Sequence, residues 1–95
     1  MVCATVHAQL SFEDRRPIFK LNDKTLLTTP AEGLWSVATG WQQDWMCGWV
    51  HASADEQTRS GEWTILSGKI SLPQGDLLVR DSYREVRDGL VQCVR

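Results

Sequence analysis

The chain has 95 residues with a formal charge of −2, 42% hydrophobic and 23% charged residues. That composition fits one soluble globular domain with a thin core and excludes a disordered chain. It also offers no basic face for nucleic acid, and no apolar run reaches the ~20 residues that cross a bilayer.

Met1 to Phe12 supports two readings. Val2, Ala4, Val6, Ala8, Leu10 and Phe12 alternate with more polar residues, the period of a half-buried strand. Alternatively Val6-His7-Ala8 before Gln9 has the small residues of a signal-peptidase site, and residues 1–8 are the remnant of a secretory signal, with a single domain over 9–95. The second reading gives a secreted or periplasmic protein.

Glu13-Asp14-Arg15-Arg16-Pro17 reads as a charged break. Ile18 to Leu21 and Thr25 to Thr29 are short apolar pieces around a hairpin turn at Asn22-Asp23-Lys24. Leu34 to Ala52 then holds four of the five tryptophans and no Lys or Arg. Alternation puts Trp35, Val37, Thr39 and Trp41 on one face of a strand, and Trp45, Cys47, Trp49 and His51 on one face of another. Gln42-Gln43-Asp44 is the loop between them. The i, i+4 spacing of Trp41, Trp45 and Trp49 would also suit a helix, but Gly40, Gly48 and the β-branched neighbours favour strands.

Ser53 to Gly61 is polar throughout and reads as the longest exposed loop. Trp63 to Leu72 is a strand, with a bulge expected at Ser67-Gly68 so that Leu66 and Ile70 face one core. Pro73-Gln74-Gly75 suits a tight turn, Leu77 to Val86 a further strand, Arg87-Asp88-Gly89 a hairpin loop, and Leu90 to Val94 the last strand. Successive hairpins build antiparallel sheets, so the fold expected is an all-β antiparallel β-sandwich.

No nucleotide, zinc-protease or serine-hydrolase motif is present, no metal site or cofactor is expected, and the isolated Cys3, Cys47 and Cys93 read as small apolar residues, with a Cys47–Cys93 disulfide as the oxidising alternative. His7 and His51 read as structural. Asp44, between Trp41 and Trp45, is the candidate general acid, since desolvation by indoles raises a carboxyl pKa. Glycoside hydrolysis would need a second carboxylate, and Asp81 and Glu85 are the candidates. Against this, Asp44 suits a turn residue bonded to nearby backbone. Arg80-Asp81-Ser82-Tyr83-Arg84 reads as a solvated charge ladder on an outer strand face. The tryptophans are the stronger functional signal. Sugar rings stack their C–H faces on indole while Gln and Asp bind hydroxyls, so Trp41, Gln42, Gln43, Asp44, Trp45 and Trp49 form a candidate carbohydrate platform; the bland alternative is that the rings are core, Trp35 and Trp63 above all.

The segments GLWSVATGW, GEWTILSG and LPQGDLLVRDSYREV, in that order over roughly Phe12 to Arg95, resemble the amino-terminal β-sandwich of large secreted bacterial glycoside hydrolases with an α/α-barrel catalytic domain. The resemblance implies a carbohydrate context and an incomplete module. It carries over no catalytic residue, because such residues lie mainly in the barrel, so this segment by itself is not expected to be catalytic. The rival expectation is a stand-alone module that binds a protein through the same aromatic patch. In either case the Leu90 to Val94 strand is expected to pair with the remainder of a larger chain or with a second copy.

Overall fold

The computed structural model describes residues 8–87 and 90–95. The signal-or-strand alternative for residues 1–7 and the Asp88-Gly89 part of the last hairpin loop lie outside the described residues. The protein is all-β, with every described pairing antiparallel and between strands consecutive in the chain.

Three sheets form in sequence order. The first joins β1 (Ala8–Glu13), β2 (Arg16–Leu21) and β3 (Lys24–Leu27); the second is the hairpin of β4 (Trp35–Gln42) and β5 (Trp45–Ala52). The third, in the order β6-β7-β8-β9, comprises β6 (Glu56–Ser60), β7 (Trp63–Leu72), β8 (Gly75–Arg87) and β9 (Leu90–Val94). Two-residue turns at Asp14-Arg15, Asn22-Asp23 and Gln43-Asp44 close the first three hairpins, and all six residues have positive φ, between 49° and 69°. That is the backbone of a primed turn, whose twist matches the strands it joins. Asn and Asp fill four of the six positions, consistent with their tolerance of left-handed geometry. The charged stretch at Glu13 to Pro17 is thus a hairpin turn within one sheet rather than a break between segments.

Antiparallel partners share a face, so the register fixes what each sheet presents. On the inner face of the third sheet, Thr64, Leu66, Gly68 and Ile70 of β7 stand opposite Tyr83, Asp81, Val79 and Leu77 of β8. The smaller sheets cover this face together. Trp35, Ala54, Leu66, Ile70 and Tyr83 form the buried cluster, with Leu10 and Phe12 from the first sheet and Val37, Val50 and Ala52 from the second packed against it. Phe12 meets Tyr83 edge-on, with ring centroids 5.7 Å apart. Arg15 Nε donates to Ala54 O at 3.1 Å, which ties the first turn to the link between the other two sheets.

Two expectations for this region are corrected. Ser53 to Gly61 is not a loop: Glu56–Ser60 is a strand paired with β7 from Ser67 to Trp63. It reads as loop because an edge strand exposed at every residue has no apolar alternation to detect. Nor is there a bulge at Ser67-Gly68, where the β7–β8 register runs without a shift. Leu66 and Ile70, four residues apart, share a face in a regular strand. Gly68 serves a different end: a Cβ there would lie 2.8 Å from Trp35 Cζ3 and 3.0 Å from Ser53 O, so the missing side chain makes room for the indole and the chain passing over it. Cys47 and Cys93 are free thiols, which removes the Cys47–Cys93 disulfide.

Candidate functional site

The β4–β5 hairpin starts in the core and ends in solvent. Trp35 pairs with Ala52 and Val37 with Val50, all facing the third sheet. Further out on the same face come Trp41 and its partner Met46, which are 74% and 50% exposed. The core-facing row therefore runs past the sheet that covers it. The opposite face carries Trp49 opposite Ala38, and Trp45 opposite Gln42, with the two indoles 48% and 78% exposed. Ser36 and His51 are paired on this face through Ser36 Oγ and His51 Nδ1 at 2.7 Å.

The six residues proposed as one platform are therefore divided. Trp45, Trp49 and Gln42 share the outer face; Trp41 lies on the other; Gln43 and Asp44 are the turn itself. The division follows from period-two alternation across a two-residue turn, where Trp41 is partnered by Met46 rather than by Trp45. Asp44 is exposed, in the turn between the two strands. Trp45 and Trp49 are separated by four residues of strand, a span of about 13 Å.

Trp63, expected in the core, lies half-buried on the outer face of the third sheet, beneath Arg84. The guanidinium carbon is 4.6 Å from the ring centroid, and Arg84 is held there by Glu62 at 2.7 Å and Gln92 at 2.8 Å. Such stacking retains an Arg in place and shields the ring from solvent.

The charge ladder expected on β8 is also corrected. Alternation sends Arg80, Ser82 and Arg84 outward but turns Asp81 and Tyr83 into the core, where Asp81 is 0% exposed. Its carboxylate accepts from Trp35 Nε1 at 2.8 Å, Tyr83 OH at 3.0 Å, and Arg95 Nε and Nη2 at 2.7 and 2.9 Å. Burial alone would raise the Asp81 pKa, but the hydrogen bonds from Arg95, Trp35 and Tyr83 and the Arg95 charge outweigh it, and the carboxyl is held below its ordinary value. Burial, reinforced by the Asp81 charge, drives the Tyr83 phenol well above its usual range. With no accessible surface and every partner a donor, Asp81 is a structural anchor between hairpin, β8 and the end of β9. Glu85, the other proposed second carboxylate, accepts from the Leu10 backbone N–H and so ties β1 to β8.

Two clefts flank the core. One, of about 280 Å³, lies between β1 and the third sheet and is lined by Leu10, Phe12, Arg59, Thr64, Tyr83 and Glu85 among others. The other, of about 130 Å³, opens beside β4 over Trp35, Val37, Ile70, Leu77 and Val79. No group of three His, Cys, Asp or Glu side chains among the described residues could hold a metal ion, and the described residues form no helix long and apolar enough to cross a membrane. No family model matches the chain, and neither does any curated protein or solved structure.

Proposed function

We propose that this chain is a non-catalytic β-sandwich segment of a secreted carbohydrate-active enzyme, and that it supports or extends a sugar site through the outer face of its tryptophan hairpin. The observation that carries the reading is that Trp45 and Trp49 lie on one face of one strand and are both open to solvent, with Gln42 beside Trp45. Two indoles about 13 Å apart suit an extended chain of rings rather than a single small molecule. Each supplies an apolar plate, and a neighbouring amide both donates and accepts hydrogen bonds. The sequence resemblance to the amino-terminal sandwich of α/α-barrel glycoside hydrolases, and the signal-like Val6-His7-Ala8, support the secreted carbohydrate context.

A stand-alone protein-interaction module is the second reading, favoured by Trp41 and Met46 standing exposed on the opposite face. Titration with soluble poly- and oligosaccharides, followed by tryptophan fluorescence, separates the two. The sugar reading expects a saturable change that Trp45→Ala and Trp49→Ala each weaken at least about tenfold, the effect of losing ~1.4 kcal/mol of stacking, and that Trp41→Ala leaves in place. Absence of any response from a folded sample across a broad glycan panel overturns it in favour of the protein-interaction reading.

A further inference from the structure

The sheet edges of this protein are not equally protected against further pairing. β6 carries Glu56 and Arg59 and is exposed along its length. At β1, the Leu10 N–H is already held by Glu85. The four-residue β3 begins with Lys24. β5 carries Gly48 at a φ of 65°, a local irregularity within a continuous strand, and its carbonyl accepts from Thr39 Oγ1 at 2.8 Å. β9 has only five residues, Leu90–Val94, without charge, and Arg95 beyond it is drawn inward to Asp81, so this edge is short but uncharged. Charge, irregularity and capping of these kinds are how proteins discourage a further strand.

β4 lacks all of them. It has eight residues with no positive φ and no Pro, and residues 34–43 contain no charged side chain. Among the described strands it pairs with β5 alone. Beside it lies the cleft of about 130 Å³ lined by Trp35, Val37, Ile70, Leu77 and Val79, with Ser36 and Arg95 at its polar side, and to it β5 contributes no residue. Four residues beyond Val37, on the same face, Trp41 stands 74% exposed. An exposed apolar knob and a cleft with apolar walls and Arg95 at its side thus lie along one strand.

The chain exposes 7122 Å², whereas a compact monomer of 10.8 kDa exposes about 5,500 Å². The chain is thus more open than a compact monomer of its mass. The radius of gyration of 16.3 Å against about 12 Å for a compact chain of this length says the same of shape.

We propose that two copies of this chain pair through β4, antiparallel about a two-fold axis at Thr39, so that Trp41 of each copy lies beside Val37 of the other and fills its cleft. The symmetry demands reciprocity, and this register provides it. Directly opposed residues share a face, and Trp41 and Val37 already do, so the hairpin faces match across the axis. A one-residue slip would oppose Trp41 to Ala38, which belongs to the other face, and turn the second hairpin over. The product is a four-stranded sheet, β5-β4-β4-β5, in place of a two-stranded ribbon that is marginal on its own. β4 itself brings no charge to the seam. The interface uses the face opposite Trp45 and Trp49, so it goes beyond the sugar reading and stands or falls without it.

The test uses the full chain with Cys3, Cys47 and Cys93 changed to Ser. Size-exclusion chromatography with light scattering is expected to give twice the 10.8 kDa chain mass, and Trp41→Arg is expected to give the chain mass with an unchanged β-type circular dichroism spectrum. Trp45→Arg, on the other face, should stay dimeric. Thr39→Cys sits on the axis, within the 4.4–6.8 Å Cα separation a disulfide needs, and should cross-link on mild oxidation, whereas Gln92→Cys in β9 should not. A parent chain of single mass, a Trp41→Arg variant that remains dimeric, or cross-linking through Gln92→Cys instead of Thr39→Cys overturns the proposal. If Trp41→Arg fails to fold, the two cysteine variants still decide between the edges.

Discussion

Asp81 accepts four hydrogen bonds from three side chains, and the three come from different parts of the chain: Trp35 from the hairpin, Tyr83 from its own strand and Arg95 from beyond β9. A fully buried carboxylate is costly unless so satisfied, because each lost donor exposes the charge to a medium that cannot solvate it. The indole body does more for stability than its N–H. Burying a Trp side chain of roughly 200 Å² is worth up to about 5 kcal/mol, against about 1.5–3 kcal/mol for the bond it donates to a charged acceptor. The pH behaviour follows from Asp81. Its folded pKa is below the ordinary 3.8, so its contribution is complete above that value and is lost as the pH falls through it toward the lower folded value. We therefore expect Arg95→Ala to cost about 1–2 kcal/mol at pH 7, the low end for charged hydrogen bonds because the Arg95 side chain is 64% exposed. The gap from the parent chain should narrow in acid as Asp81 becomes protonated. Urea unfolding at a series of pH values checks both, and a gap that does not change with pH would assign Arg95 a packing role alone.

Among the elements, the hairpins β2–β3, β4–β5 and β7–β8 were legible from the sequence because their signals are local, while the Asp14-Arg15 turn and the β6–β7 hairpin were not. The Asn22-Asp23 turn, the two tryptophan strands and the Pro73-Gln74 connection each follow from turn chemistry and period-two alternation within about ten residues. What escaped was decided between elements. β6 reads as loop because nothing packs on it, and only its pairing with β7 makes it a strand. The inward turn of Asp81 was present in the alternation Leu77, Val79, Asp81, Tyr83, which places the carboxylate among apolar residues; charge at neighbouring positions concealed it. The platform was divided because a loop of three residues was expected where the turn has two, and one residue of difference moves Trp41 to the other face. Gly68 is the most specific of these inter-element features, since its reason is an indole on a different sheet. Gly68→Ala is expected to destabilise by about 1–3 kcal/mol through overpacking against Trp35. Gly61, at a turn with φ 60° and nothing within 4 Å of an added Cβ, provides the comparison: Gly61→Ala carries only the backbone strain of about 1–2 kcal/mol. Thermal melts of both, with near-ultraviolet circular dichroism to report the Trp35 environment, separate the causes. Only Gly68→Ala should alter the aromatic signal.

At the scale of the molecule, burial is unevenly distributed. Leu66, Ile70 and Asp81 of β7 and β8 are the most deeply buried side chains, while the hairpin is packed only at its base and Trp41, Trp45 and Met46 stand in solvent. Local opening costs least where few apolar contacts must break, so backbone protection should grade along the chain rather than follow strand assignment. Hydrogen exchange of the full chain at low concentration is expected to show the slowest amides in Leu66 to Ile70 and Val79 to Tyr83, with much faster exchange from Gly40 to Met46 although these residues are in or next to strands. Raising the protein concentration adds a second axis. Association of folded copies stabilises whatever they bury, and pairing through β4 would protect the outward N–H groups of Trp35–Gln42 while leaving the outer edge of β5 unchanged. Protection that rises with concentration on β4 alone therefore matches the two-fold pairing at Thr39. A rise centred on Leu90–Val94 would place the contact at β9, and a profile independent of concentration would mean that the hairpin stays open to solvent and that its apolar faces await a different partner.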